Sequence, residues 1–243
     1  MRAFGSNRSY MSGTYGSAVA CEDTSAASEQ ESADPEQLAH SAGSGERADR
    51  PHGCSTCVRT SCLLGKIDRM PTTCPTLTHA NLTRDARPYL EPATHDEMVS
   101  ADATPTTEDG RLRNRVEELV TYARAQRLRR IGIAFCVTLL REAQRLGRIL
   151  RQEGFSTELV CCRVGAIDYD EIGLPKAHPE RFAAICNPVA QARLFNQRSV
   201  DLVVQLGLCL GHDLMLQRES RAPVTTLVVK DRALDHHSVM ALR

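Results

Sequence analysis

The chain has no tryptophan, and aromatic residues make up 4% of its 243 residues. A groove for single-stranded nucleic acid needs aromatic platforms among its basic side chains, so that class of partner is poorly served. Eleven arginines lie between Arg111 and Arg151, against Glu117, Glu118 and Glu142. They spread round the helices expected there and read as solvated faces. Lysine is nearly missing: Lys66, Lys176 and Lys230 are the only three among 30 basic residues. Where lysine persists, a compact ammonium is a candidate requirement, and Lys230 is the case to watch. Formal net charge is zero, which removes any general pull toward nucleic acid or an anionic membrane. No apolar run approaches the roughly 20 residues of a spanning helix. The opening stretch, "MRAFGSNRSYMSGTYGSAVACEDTS", lacks the apolar centre of a secretory signal. Its serines with Arg2 and Arg8 faintly suggest a transit peptide, but Glu22 and Asp23 argue against one. No internal repeat is visible, and the glycine fingerprint of dinucleotide-binding folds is absent.

Cysteine, by contrast, is abundant. Ten cysteines without a secretion signal argue for a reducing compartment, and the cytoplasm is the expected location. There they serve as core residues, metal ligands or reactive thiols. Residues 1–50 are rich in Ser, Ala, Gly, Glu and Asp, and a segment that buries so little apolar surface is expected to be a disordered extension. Residues 51–78 form a cysteine-rich knuckle, 79–106 a polar, proline-bearing linker, and 107–243 a folded domain.

That domain alternates strand and helix. Asp109 is the expected N-cap of a helix through "RLRNRVEELVTYARAQRL", with Leu112, Val116, Leu119, Val120 and Ala123 on one face. "RIGIAFC" is a strand ending at Cys136. "TLLREAQRLGRILRQEG" is a helix stopped by Gly154, and "STELVCC" is a second strand ending at Cys161 and Cys162. After a long loop, Asn187 caps and Pro188 opens the helix "PVAQARLFNQR". "VDLVVQLGLC" is a third strand, "GHDLMLQRES" a short helix and "APVTTLVVKDR" a fourth strand. Near-continuous apolar strands mean that both sheet faces are covered. The fold class is therefore α/β: a small, doubly wound, Rossmann-like parallel sheet of about four strands.

In such a sheet, ligands bind outside the carboxyl ends of the strands. Cys136, Cys162 and Cys209 fall at those ends, and Cys186 falls just before a helix start. Four cysteines on one rim suit a thiolate-held metal or an iron–sulfur cluster. Buried cysteine also fills cores well, and that is the plain alternative. In the knuckle, Cys54, Cys57, Cys62 and Cys74 are candidate metal ligands, because a Cys-x2-Cys turn presents two sulfurs to one point. The spacing matches neither a zinc ribbon nor the usual ferredoxin run, so zinc and iron–sulfur both remain candidates. His52 and His79 are spare ligands or solvated loop residues. His212 and Asp213, beside Cys209, are candidates for acid–base chemistry, although adjacent side chains on a helix diverge by about 100°. Lys230, Asp231 and Arg232 fall on the same rim, suited to an anionic ligand or to offsetting a cluster's charge. His236 and His237 are further possible ligands.

Several of these segments together resemble a family of bacterial and archaeal proteins known as domain of unknown function eighteen forty-seven. They are "IGIAFCVTLLREA", "CCRVGAIDYDEIGLP", "CNPVAQARLFN", "GLCLGHDLMLQRESRAPVTTLVVKDRALDHH" and the knuckle ending "MPTTCP". The resemblance covers about residues 54–242. It implies a predicted metal-binding protein with no established reaction. The family's cysteines fall on Cys54, Cys57, Cys62, Cys74, Cys136, Cys162, Cys186 and Cys209. Its Gly-His-Asp falls on Gly211, His212 and Asp213, its Lys-Asp-Arg on Lys230, Asp231 and Arg232, and its tail histidine on His236. Cys161 and His237 depart from the pattern. Three functions follow as expectations: a metal or iron–sulfur protein with a small-molecule or redox partner, a Cys/His enzyme acting on a small anion, or a zinc-stapled interaction module. Neither nucleic acid nor membrane is an expected partner.

Overall fold

The computed structural model describes residues 54, 55, 57, 58 and 60–243. The expected extension, residues 1–50, and His52 lie outside the described residues. The chain divides into two compact units, one ending at Cys74 and the other running from Pro75 to Arg243.

In the first unit the Cys57 N–H donates to the Cys54 carbonyl at 3.1 Å, the turn expected of a Cys-x2-Cys pair. Single 3-10 turns follow at Ser61–Leu64 and Ile67–Arg69, tied by the Ser61 hydroxyl to the Arg69 carbonyl at 3.3 Å. Among its described residues only Ser61 is buried, while Val58, Leu63 and Leu64 are exposed. Among the described residues no apolar core holds this segment together.

The second unit begins with helical turns: α1 (Pro75–Thr78) in the last residues of the stretch read as the knuckle, and α2 (Ala80–Thr83) and α3 (Pro92–Ala103) in the stretch read as a linker. The Gln126 amide donates to Ser100 Oγ at 2.7 Å and to the Asp96 carbonyl at 3.2 Å, which fastens α3 to the end of α4 (Arg115–Ala125). The α4 cap is Asn114, not Asp109. Asn114 Oδ1 accepts from the N–H groups of Val116 and Glu117, and Glu117 accepts in return from the Asn114 N–H. The reason is reciprocity: a capping box needs Glu or Gln three residues on, which Asn114 has in Glu117 and Asp109 lacks in Leu112. Asp109 instead accepts from the Thr107 hydroxyl in a preceding turn.

Then come β1 (Arg130–Phe135), α5 (Leu140–Gln152), β2 (Ser156–Cys161), α6 (Pro188–Arg198), β3 (Leu202–Leu206), α7 (His212–Glu219) and β4 (Val224–Val228). The strands lie in the order β2-β1-β3-β4 and all pairs are parallel. The chain steps from β1 to β2, then crosses β1 to reach β3, so the winding reverses between β1 and β3. That is where a ligand crevice forms in an open α/β sheet.

Side chains alternate between the two faces. Ile131, Ile133 and Phe135 of β1 join Leu202, Val204 and Leu206 of β3 in a core covered by α4 and α5. Ala134, Val203, Cys136 and Cys162 join Ala192 and Phe195 of α6 and Leu216 of α7 on the other face. Close approach on that face needs Gly132, where a Cβ would stand 2.8 Å from the Phe195 ring. The period of two therefore decides which cysteines meet. Cys136 and Cys162 extend the even-numbered positions of their strands onto the α6 face, whereas Cys161 has the opposite parity.

Candidate functional site

Each rim cysteine is placed by a separate device. The Cys136 N–H donates to the Leu206 carbonyl at 3.0 Å, which carries the β1–β3 ladder one residue past β1. The Cys162 N–H donates to the Phe135 carbonyl at 2.8 Å, and the Cys162 carbonyl accepts from the Asn187 N–H at 2.7 Å. That second bond pins the start of α6, and so Cys186, to the end of β2. Asn187 caps α6 through the Ala190 N–H at 3.0 Å, with Pro188 opening the helix as expected. Past β3, Gly207 turns the chain at φ +60°, where a Cβ would lie 2.4 Å from a Leu139 methyl. Cys209 follows, and its carbonyl accepts the His212 N–H at 2.9 Å to start α7.

All four cysteines line one cavity of about 10 Å³, together with Pro188, Gln191, Leu208 and His212. Two buried polar atoms of that lining, Gln191 Oε1 and His212 Nδ1, have no hydrogen-bond partner among the described residues. A buried polar atom without a partner is costly, and a bound water or ion is one of the ways native proteins satisfy it. The volume matches about one water-sized sphere, far too small for an organic substrate.

The sulfurs form a polarised series. Cys136 is hydrogen-bonded to Cys162, and Cys162 to Cys186. The bond to Cys162, followed by burial, pushes the Cys136 thiol up to about 11 against the pull of Lys230 and Thr138. At Cys162 the bond with Cys136 favours the thiolate, but the bond with Cys186 and burial outweigh it and raise the thiol. Cys186 collects the benefit: the Cys162 hydrogen bond, helped by the nearby Arg163 charge, lowers it from 9.0 to about 7 despite burial. Of these three thiols, Cys186 at the α6 end of the series is the one most readily deprotonated.

Cations surround the sulfurs. Lys230 Nζ donates to Cys136 Sγ at 2.7 Å, and the Arg232 guanidinium reaches Cys209 Sγ at 3.6 Å. The Val137 N–H points to Cys162 Sγ at 3.4 Å, and Thr138 Oγ1 lies 3.2 Å from Cys136 Sγ. Among the described residues, no three Cys, His, Asp or Glu side chains already stand around one point as metal ligands.

The other sequence candidates sit elsewhere. Asp213 accepts from the N–H groups of Gly211 (3.0 Å) and Leu214 (2.8 Å), so its carboxylate serves the turn into α7 and not the cavity. His236 Nδ1 accepts the Asp231 N–H at 3.1 Å and shapes the tail turn, outside the cavity lining. Cys161 accepts from the Arg163 N–H at 3.5 Å and takes no part in the lining. In the knuckle, Cys54 and Cys62 are exposed and Cys57 and Cys74 are half-buried. Sequence reasoning passed over Gln191 and Arg163. Gln191 carried a usable signal: it is a polar residue on the apolar stripe of α6 shared by Pro188, Ala192 and Phe195. Its amide donates to the Val160 carbonyl at 2.7 Å, which turns the carbonyl oxygen toward the sulfurs' cavity.

Comparison with known proteins supplies the relationship. Residues 74–227 match the family described as "Protein of unknown function (DUF1847)". The chain belongs to that family. The matched span includes Cys74 and all four rim cysteines and leaves Cys54, Cys57, Cys62 and Lys230 outside it. An uncharacterised protein of Methanocaldococcus jannaschii is 40% identical over 130 residues, which are 54% of this chain and 67% of that protein. No solved structure matches the chain significantly. Among the described residues no helix is long and apolar enough to cross a membrane.

Proposed function

We propose that the rim binds one thiophilic metal ion, zinc in the simplest case. Its donors are drawn from the sulfurs of Cys136, Cys162, Cys186 and Cys209 and from His212 Nδ1. The carrying observation is the shared cavity of about 10 Å³, where four cysteines meet two unpartnered polar atoms. The donor set fits: thiolate and neutral imidazole are the ligands that zinc prefers. The cavity suits an ion better than an iron–sulfur cluster. Bound there, the ion supplies a fixed positive charge that keeps its ligands deprotonated. The chain's own part is to preload charge and to balance it. The sulfur series delivers the first thiolate at Cys186, while Lys230 and Arg232 offset the excess negative charge of several thiolates. We assign a second ion to Cys54, Cys57, Cys62 and Cys74, because a segment without an apolar core needs one to hold a fold. Thiols kept for this purpose require a reducing compartment such as the cytoplasm.

The test is metal analysis of protein prepared without oxygen, with adjacent cysteines as internal controls. The expected result is that Cys162→Ser loses the rim ion, Cys57→Ser loses the knuckle ion, and Cys161→Ser keeps both. Cobalt loading should give a thiolate charge-transfer band that the Cys162→Ser change weakens. Metal content untouched by every rim substitution would sink the assignment. Iron together with acid-labile sulfide would replace the single ion with a cluster.

A further inference from the structure

A second cavity, of about 600 Å³, opens between the end of β1 and the long loop that joins β2 to α6. Its size falls in the range of small-molecule sites, unlike that of the sulfur cavity. Its chemistry is one-sided. Arg163, Lys176, His178 and Arg181 line it, with Tyr169 and Phe182 supplying ring faces. Lys176 is spoken for: it bridges Asp168 at 3.0 Å and Asp170 at 2.5 Å, and its side chain is 5% exposed. That bridge ties the two carboxylates at the start of the loop to Lys176 further along it. Arg181 and His178 share Glu180 at 3.4 and 3.8 Å, all well exposed, which is a weak and displaceable arrangement. Arg163 pairs with no carboxylate among the described residues; its guanidinium donates to the Ala184 carbonyl and also bears on Tyr169 and Cys186. Phe182 is 64% exposed, so its ring is accessible to a molecule in the cavity that it lines.

The wall is shared with the thiol rim. Val137 follows Cys136, Arg163 follows Cys162, and Ala184 stands two residues before Cys186. A molecule in this cavity therefore sits beside the sulfurs without entering their ion-sized pocket.

We infer that this cavity binds a small anion attached to a flat ring. Arg163 and Arg181 take the charged group, which displaces Glu180 from Arg181, and Phe182 and Tyr169 hold the ring. Planar guanidinium groups match carboxylate and phosphate oxygens two at a time, which a point-like ammonium does not. The inference does not rest on a metal at the rim, since none of these groups is one of its donors.

The experiment is equilibrium binding to the full chain by calorimetry. The probes are adenosine 5′-monophosphate and 4-nitrobenzoate, with adenosine and inorganic phosphate as single-feature controls. The expected result is saturable binding of at least one two-feature probe, tighter than either control and weakened by added salt. Arg181→Ala and Phe182→Ala, both at exposed positions, should each weaken it about tenfold, the usual effect of losing one charge-assisted or stacking contact. Arg163→Gln should do the same, with melting curves to separate loss of binding from loss of fold. Absence of binding for both probes, or binding indifferent to Arg181→Ala and Phe182→Ala, overturns the inference. Repeating the titration on metal-stripped protein keeps this outcome separate from that of the rim ion.

Discussion

The ammonium of Lys230 lies 2.7 Å from the sulfur of Cys136, across 94 residues of chain. One of only three lysines thus meets a thiol that resists deprotonation, held up to about 11 by its hydrogen bond to Cys162 and by burial. The contact opposes that rise without cancelling it. Its use lies in the deprotonated state, where the ammonium balances a thiolate that the surroundings disfavour.

Removing that charge should therefore weaken metal binding more than folding. Lys230→Met is expected to lower rim affinity for cobalt at pH 7 by about tenfold, equivalent to one pKa unit or about 1.4 kcal/mol. Its melting temperature should move little. A competition titration with a chromophoric chelator measures the first effect. Unchanged affinity would make Lys230 a mere neighbour of the sulfur.

Cys186 links stability to pH in the metal-free protein. Its thiol falls from 9.0 in the unfolded chain to about 7 in the fold. Between those values the folded state holds fewer protons than the unfolded state, so stability rises as pH rises from 7 to 9. It is lost again as pH falls through 7. Urea unfolding in chelator at several pH values should show this slope, and Cys186→Ser should flatten it. In the same pH series, alkylation of Cys186 should show a midpoint near 7, ahead of Cys136 and Cys162.

Adjacent cysteines should behave in opposite ways. Cys162→Ala removes a sulfur from the cavity and should abolish rim metal, whereas Cys161→Ala should leave it intact. Mass spectrometry under native conditions reads the bound ion directly. Equal loss from both variants would mean that strand parity does not select the donors.

Gly207→Ala should destabilise the fold strongly. It adds a methyl at φ +60°, 2.4 Å from a Leu139 methyl that itself belongs to the core. Overpacking of this kind costs about 1–3 kcal/mol, and the left-handed backbone adds roughly 1 more. A denaturant midpoint well below that of the parent chain is expected. A midpoint within error would show that the turn after β3 relaxes freely.

Much of the fold was legible in the order of residues. Strand after apolar strand, each followed by a helix pattern, required a covered parallel sheet, and Asn187-Pro188 marked a helix start that the structure retains. The error at Asp109 was local: two acceptors competed for one helix, and only the reciprocal Glu117 distinguished Asn114. The helical turns at 75–103 were illegible because their residues are mostly polar and exposed, with α3 fastened through side-chain amides and not through an apolar stripe.

By itself the sequence determined the parallel α/β sheet, since unbroken apolar strands are stable only between two layers of helix. It also determined that Cys136 and Cys162 come at strand ends and that Cys186 precedes a helix, whereas Cys209, expected to end the third strand, lies beyond the Gly207 turn because β3 stops at Leu206. Only tertiary structure decided that these four share a single ion-sized cavity, and that Asp213 and His236 serve backbone turns. It also brought Lys230 to Cys136 and assembled the basic pocket from the β2–α6 loop. The reason is one of range. Propensity and periodicity act over a few neighbouring residues, whereas strand order, register and loop closure place together side chains that are tens of residues apart.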